Sequence, residues 1–341
     1  MSFQYNWMSE KSKKILKLLI RVAITSGLLV WVFHRIDRRQ FAEALRSARW
    51  HYLIAVWIVI VVIYWFESIK MRLILRKQNC IVGTTTVFRA SVVAALYSMI
   101  LPGMLSVGVK WYILKKHTGK GTNVFSSMVY NQFTSIMVMV VFALGALILT
   151  NPAAIMTNTK NQQLLPLFCV VLLVGIVLFC LLLLNKRTGE KIIRSSGILL
   201  RFIPGSIRRK ALLTLEQVTL FQVVGWRFHL LMVLITSVGI LVGGVIMYWF
   251  AAKAANIVVP LSVFVWLWPI IFVLQRVPIS IANLGVREAT LTGLLPIYGI
   301  ESSDAFMMSM ILFSALVFMA LIGGILSFGG LMTGVQTDEA V

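Results

Sequence analysis

From Leu164 to Leu184 the chain runs the length of a membrane helix without one charged side chain. A helix needs ~20 predominantly apolar residues to cross a ~30 Å hydrocarbon core. Further predominantly apolar runs lie at 15–33, 52–66, 125–149, 228–250, 258–274 and 305–331, seven in all. The whole chain is 59% hydrophobic and 13% charged, against about 45–50% and about 25% for soluble domains. A soluble core of this size cannot hide so much apolar surface, whereas lipid tails solvate a helix on every face. The expected fold class is therefore an all-α integral membrane protein, and no soluble fold fits. The run at 15–33 lacks a small-residue cleavage site and reads as a retained anchor. Residues 37–51 read as an amphipathic helix lying on the membrane surface.

Two more apolar stretches, 87–109 and 277–300, are interrupted and expected to be broken or re-entrant. The first contains LPGMLSVGVKW and the second VPISIANLGVRE. Each has a proline (Pro102, Pro278) and then a Gly-Val pair followed directly by a cation: Gly108, Val109, Lys110 and Gly285, Val286, Arg287. The match continues downstream, with 35 residues from Lys110 to Gly145 and 36 from Arg287 to Gly323. Shared order and spacing predict an internal duplication within one polytopic domain, 1–341, with halves near 52–150 and 258–331.

Proline and glycine stop a membrane helix partway and free backbone groups. Broken helices in repeated halves mark substrate sites in transporters, and a cation at membrane depth needs a compensating partner. Lys110 and Arg287 beside freed N–H groups suit an anionic group such as a lipid phosphate. The bland alternatives stand beside this one. Lys110 would mark the end of a hairpin and snorkel to the interface, and Arg287 would be neutralised by Glu288 or Glu67. Asn131, Gln132 and Ser135 fall within about one turn of a span with Tyr130. They either line a cavity or serve as interhelical glue.

Lys and Arg number 32 against 11 acids, a net charge of +21. The basic residues gather in loops, which points to the anionic cytoplasmic leaflet and away from nucleic acid. The loop at 185–227 carries nine of them and is expected inside, with 150–163 outside and the N-terminus cytoplasmic. Aspartate occurs only at Asp37, Asp304 and Asp338, so no DxD metal–nucleotide site exists. No triad or paired-carboxylate arrangement suggests catalysis. Three cysteines and four histidines lack ligand spacing, so neither a metal nor another cofactor is expected.

The segments VPISIANLGVREATLTGLLPIYGI and LPGMLSVGVKWYILKK resemble the lysylphosphatidylglycerol synthase transmembrane-region family, whose members are also described as flippase-like. The G-V-R-E pattern is matched by Gly285, Val286, Arg287 and Glu288 after Pro278; the L-P, Gly, basic pattern by Leu101, Pro102, Gly108 and Lys110. Many members have Gly-Gly-Asp where this chain has Val107, Gly108 and Val109, and an arginine where it offers Asn131 or Gln132. The resemblance implies translocation of an anionic lipid or polyprenyl-phosphate-linked precursor in a bacterial inner membrane, with a different or weaker first half-site. A scaffold for an envelope-biosynthesis enzyme is the alternative. A lipid-modifying transferase fits less well, because the namesake lysine-transfer activity resides in a separate soluble domain.

Overall fold

The computed structural model describes residues 46, 49–100, 103–155, 163–184, 224–276 and 285–333. The expected anchor at 15–33, nearly all of the surface helix at 37–51, Pro102, Pro278 and most of the basic loop at 185–227 lie outside them. Every regular element among the described residues is helical. In chain order these are α1 (Trp50–Lys77), α2 (Thr84–Ile100), α3 (Gly103–Thr118), α4 (Gly121–Thr150), α5 (Leu164–Leu184), α6 (Trp226–Ala254), α7 (Leu261–Leu274), α8 (Val286–Leu294) and α9 (Ser302–Thr333). Four are long and apolar enough to cross a membrane: α1, α4, α6 and α9 over Ser302–Ser327.

Local chemistry explains the helix ends. Asn79, Asn151 and Asn256 adopt positive φ just past α1, α4 and α6. Asparagine tolerates the left-handed conformation that closes a helix better than most residues. The expected end of the second span at Phe66 is corrected, because α1 continues to Lys77. No proline or glycine interrupts Glu67–Lys77, so charge alone does not stop the helix.

One face of α1 buries Val56, Ile60, Ile63, Lys70 and Ile74, while Ile54, Ile58, Val62 and Trp65 are exposed. That outward apolar stripe belongs against lipid. The other face packs along α6. There the close approach is made by Gly239, where an added Cβ would fall 2.4 Å from Phe66 Cβ and Cγ. A π-helical stretch, Thr236–Val242, widens α6 at this crossing, as such insertions do within α-helices.

The α2–α3 unit is a hairpin with both ends at one end of the bundle. Arg72 donates to Thr84 Oγ1 (3.1 Å), and past the tip Lys120 Nζ donates to Asn79 O (3.1 Å) and Asn123 to Gln78 O (3.3 Å). The 17 residues of α2 make ~25 Å of helix at ~1.5 Å per residue, short of a full crossing. α6 enters at this same basic end, where Lys77 lies over the Phe228 ring. It leaves at the opposite end, where Arg49 N–H donates to Ala254 O (2.9 Å). α9 is held against α1 by a hydrogen bond from Trp57 Nε1 to Ser314 Oγ (3.0 Å) and by stacking of Trp57 on Phe318.

Helix pairing is reciprocal. α2 packs on α9 and α7 packs on α4, while α1 and α6 face each other. Gly323 of α9 permits its contact, since a Cβ there would meet Val92 O at 2.3 Å. Its sequence counterpart Gly145 has nothing within 4 Å. Among the described residues, α5 packs chiefly on α4.

Candidate functional site

The G-V-R-E segment forms the first turn of α8. Gly285 has φ 89°, a conformation glycine adopts at little steric cost. Its N–H donates to Glu288 Oε2 (2.8 Å), closing the start of the helix. Arg287 and Glu288 are both buried. The Arg287 guanidinium contacts Glu288 Oε1, and its Nε donates to Ser309 Oγ (2.9 Å). The Ser309 hydroxyl in turn donates to Glu288 Oε1 (2.9 Å). Arg287 also lies over the Phe313 ring. This closed network supplies each charge with a buried partner, as burial requires. Of the alternatives read from sequence, the geometry therefore gives Arg287 its own counter-ion, Glu288.

Lys110 sits in the middle of α3, past the break between Ile100 and Gly103. Its Nζ lies 3.4 Å from Glu67 Oε1, with side-chain exposures of 12% and 29%. Gly108, two residues before Lys110, is exposed with open space around its Cα. Among the described residues, the partners of Lys110 and those of Arg287 do not overlap. The two cations paired by sequence thus belong to different local networks.

Two further cations join Lys110. Arg276, just past α7, stacks over the Phe272 ring at 4.4 Å, and its guanidinium acts electrostatically on Glu67 and Tyr64. Lys70, one turn beyond Glu67 on α1, is fully buried. Its Nζ donates to Asn131 O (3.3 Å) and Ser135 Oγ (2.9 Å) on α4. One carboxylate, Glu67, therefore faces three cations contributed by α1, α3 and the end of α7. Around Glu67 positive charge exceeds negative, an arrangement suited chemically to an anion.

Asn131 is buried and uses its backbone carbonyl for Lys70, while its Oδ1 and the Ser127 hydroxyl make no hydrogen bond. Gln132, on the next face, is half-buried. Sequence reading overlooked Lys70 and Arg276. For Lys70 the signal was present: positions 56, 60, 63, 67, 70 and 74 repeat at helical spacing, so Glu67 and Lys70 continue the inward stripe of α1. Arg276 carried no comparable signal.

The long apolar helices, lipid-facing stripes and buried charge clusters define a polytopic helical integral membrane protein. A family model described as lysylphosphatidylglycerol synthase TM region matches residues 18–324, and the chain belongs to that family. Membership associates it with lipid or envelope biosynthesis or translocation. No curated protein and no solved structure matches the chain.

Proposed function

We propose that the protein is a non-enzymatic translocase for an anionic lipid or polyprenyl-phosphate-linked headgroup. The headgroup phosphate binds at Lys110 and Arg276, with Lys70 behind them and Glu67 as the resident competitor. The observation that carries this reading is the excess of cations over carboxylate around Glu67, to which Lys110 of α3 and Arg276 just past α7 both contribute. Such a cluster is costly in hydrocarbon unless it has a functional counter-ion. Arg287 and Glu288 act as a framework pair that holds α8 on α9.

The reciprocal packing of α2 on α9 and α7 on α4 supports an internally duplicated architecture. In it the α2–α3 hairpin re-enters from one side and the segment that begins with α8 from the other. The halves run near 50–150 and 226–333, extending the sequence reading of 258–331 to include α6. Transporters of inverted-repeat design place their sites at midplane between such broken helices. The concentration of Arg72, Arg76, Lys77, Lys115, Lys116 and Lys120 at one end supports a cytoplasmic location for that end. A bacterial inner membrane, seven spans and a cytoplasmic N-terminus belong to the same reading.

The test is leaflet exchange in liposomes containing the purified full chain and a fluorescent phosphatidylglycerol. The expected result is faster exchange of chemically unchanged lipid, abolished by Lys110→Gln and Arg276→Gln in folded protein. Absence of exchange by the wild type defeats the translocase and favours the envelope scaffold. A covalently altered lipid defeats the non-enzymatic reading.

A further inference from the structure

Lys70 and Arg287 are the buried cations among the described residues, and Lys70 is the one of the two without a carboxylate beside it. Lys110 and Arg287 each have a carboxylate within 4 Å. Lys70 has none: Glu67, three positions earlier on the same helix, turns to Lys110, and both acceptors of Lys70 are neutral. A fully buried ammonium held by only two neutral oxygens is an expensive species at membrane depth. Lysine, unlike arginine, has an accessible way out, because it can release a proton.

The partners are suited to both forms. Asn131 O accepts a hydrogen bond from an ammonium or from a neutral amine. The Ser135 hydroxyl can accept from the ammonium, or rotate and donate to the amine lone pair. Protonation can therefore change without movement of α1 against α4. Besides its burial, three charges act on Lys70. Glu67 on α1 favours the ammonium, while Lys110 on α3 and Arg276 beyond α7 oppose it. α4 presents only neutral groups, Asn131, Ser135 and Tyr130, and the Tyr130 hydroxyl meets His229 Nδ1 of α6 at 2.6 Å.

We infer that Lys70 is the proton-binding site of the protein, taking up one proton when an anionic headgroup occupies the Lys110–Arg276 site and releasing it when the headgroup leaves. This rests on the anion site proposed above and deepens it by naming the coupled ion. The bound anion offsets the repulsion from Lys110 and Arg276, so the Lys70 Nζ lone pair accepts a proton from water. Departure of the anion restores that repulsion, and the proton returns to water. A singly charged headgroup and its proton then move together without net charge. By linkage, protons in turn strengthen anion binding.

The experiment uses the full chain in phosphatidylcholine nanodiscs with a fluorescent short-chain phosphatidylglycerol. This probe is a phosphodiester, so its own charge stays constant over the range measured. Wild-type affinity is expected to fall about tenfold from about pH 6 to about pH 9, as one nearby elementary charge is lost. Lys70→Arg is expected to bind tightly and Lys70→Met weakly, both without pH dependence. In weakly buffered solution the wild type should take up one proton per probe bound and Lys70→Arg none. Wild-type pH dependence persisting in either variant overturns the inference and moves the proton site elsewhere, His229 being the nearest imidazole. Failure of the wild type to bind the probe at any pH is a different result, because it removes the anion site itself. Should Lys70→Met fail to fold, Lys70→Arg and the proton count still decide.

Discussion

Arg287 and Glu288, neighbours in sequence, close a buried ring through the Ser309 hydroxyl of α9. The most recognisable motif in the chain is thus an internally neutralised junction between α8 and α9. Breaking a buried pair by removing one partner costs about 3–5 kcal/mol, whereas replacing both by apolar groups costs far less. Arg287→Met and Glu288→Gln should each lower thermal stability in detergent strongly. The double replacement Arg287→Met with Glu288→Met should recover much of the loss. Double-mutant melting curves check this, and additive losses would show that the two side chains do not form a pair.

In the proposed site Glu67, 3.4 Å from Lys110 Nζ, competes with the anion for that cation. Glu67→Gln should therefore raise phosphatidylglycerol affinity by about threefold to tenfold, while Lys110→Gln lowers it by a similar factor. Mass spectrometry of co-purified lipids and probe titration in nanodiscs both report the change. A loss of affinity in Glu67→Gln would mean that the carboxylate orients the cations and does not compete.

The two glycines matched by the repeat should respond differently to substitution. A Cβ at Gly323 meets Val92 O at 2.3 Å, so Gly323→Ala forces α9 away from α2, at a cost of about 1–3 kcal/mol. Gly145→Ala has open space around it and should be neutral or slightly stabilising, by up to ~1 kcal/mol, through helix propensity. Thermal unfolding of the two variants side by side tests the difference.

Asn131 and Ser135 also separate. The Asn131 bond to Lys70 comes from the backbone, and its Oδ1 makes no hydrogen bond. Asn131→Leu should therefore leave stability unchanged or improved. Ser135→Ala removes a side-chain acceptor from a buried cation and should cost about 1–3 kcal/mol. Equal effects of the two substitutions in a melting assay would contradict the geometry.

Much of the fold is legible in the residues themselves. The apolar run at 164–184 reappears as α5 with the same limits, and 125–149 is the body of α4. The interruption of the 87–109 run appears between Ile100 and Gly103. The end of α1 was misjudged because a charged side chain penalises lipid exposure without breaking a helix. Glu67 and Lys70 escape that penalty by turning inward, which hydropathy cannot register and helical spacing can. The candidate site was only half legible, since Lys110 stood out beside its proline while Arg276 sits among apolar residues with no motif.

Sequence alone determined the solvent. Hydrophobicity summed over ~20 consecutive residues is a local quantity, and it selects lipid however the helices are arranged. Proline by itself did not fix where helices end, since Pro269 lies inside α7. Only the tertiary structure decided which charge meets which. Glu288 takes Arg287, Glu67 takes Lys110, and Lys70 is left with two neutral oxygens. Those pairings depend on the rotation and crossing of α1, α3, α4 and α9, and on which atoms lose their solvent there. Neither is written in any single stretch of chain.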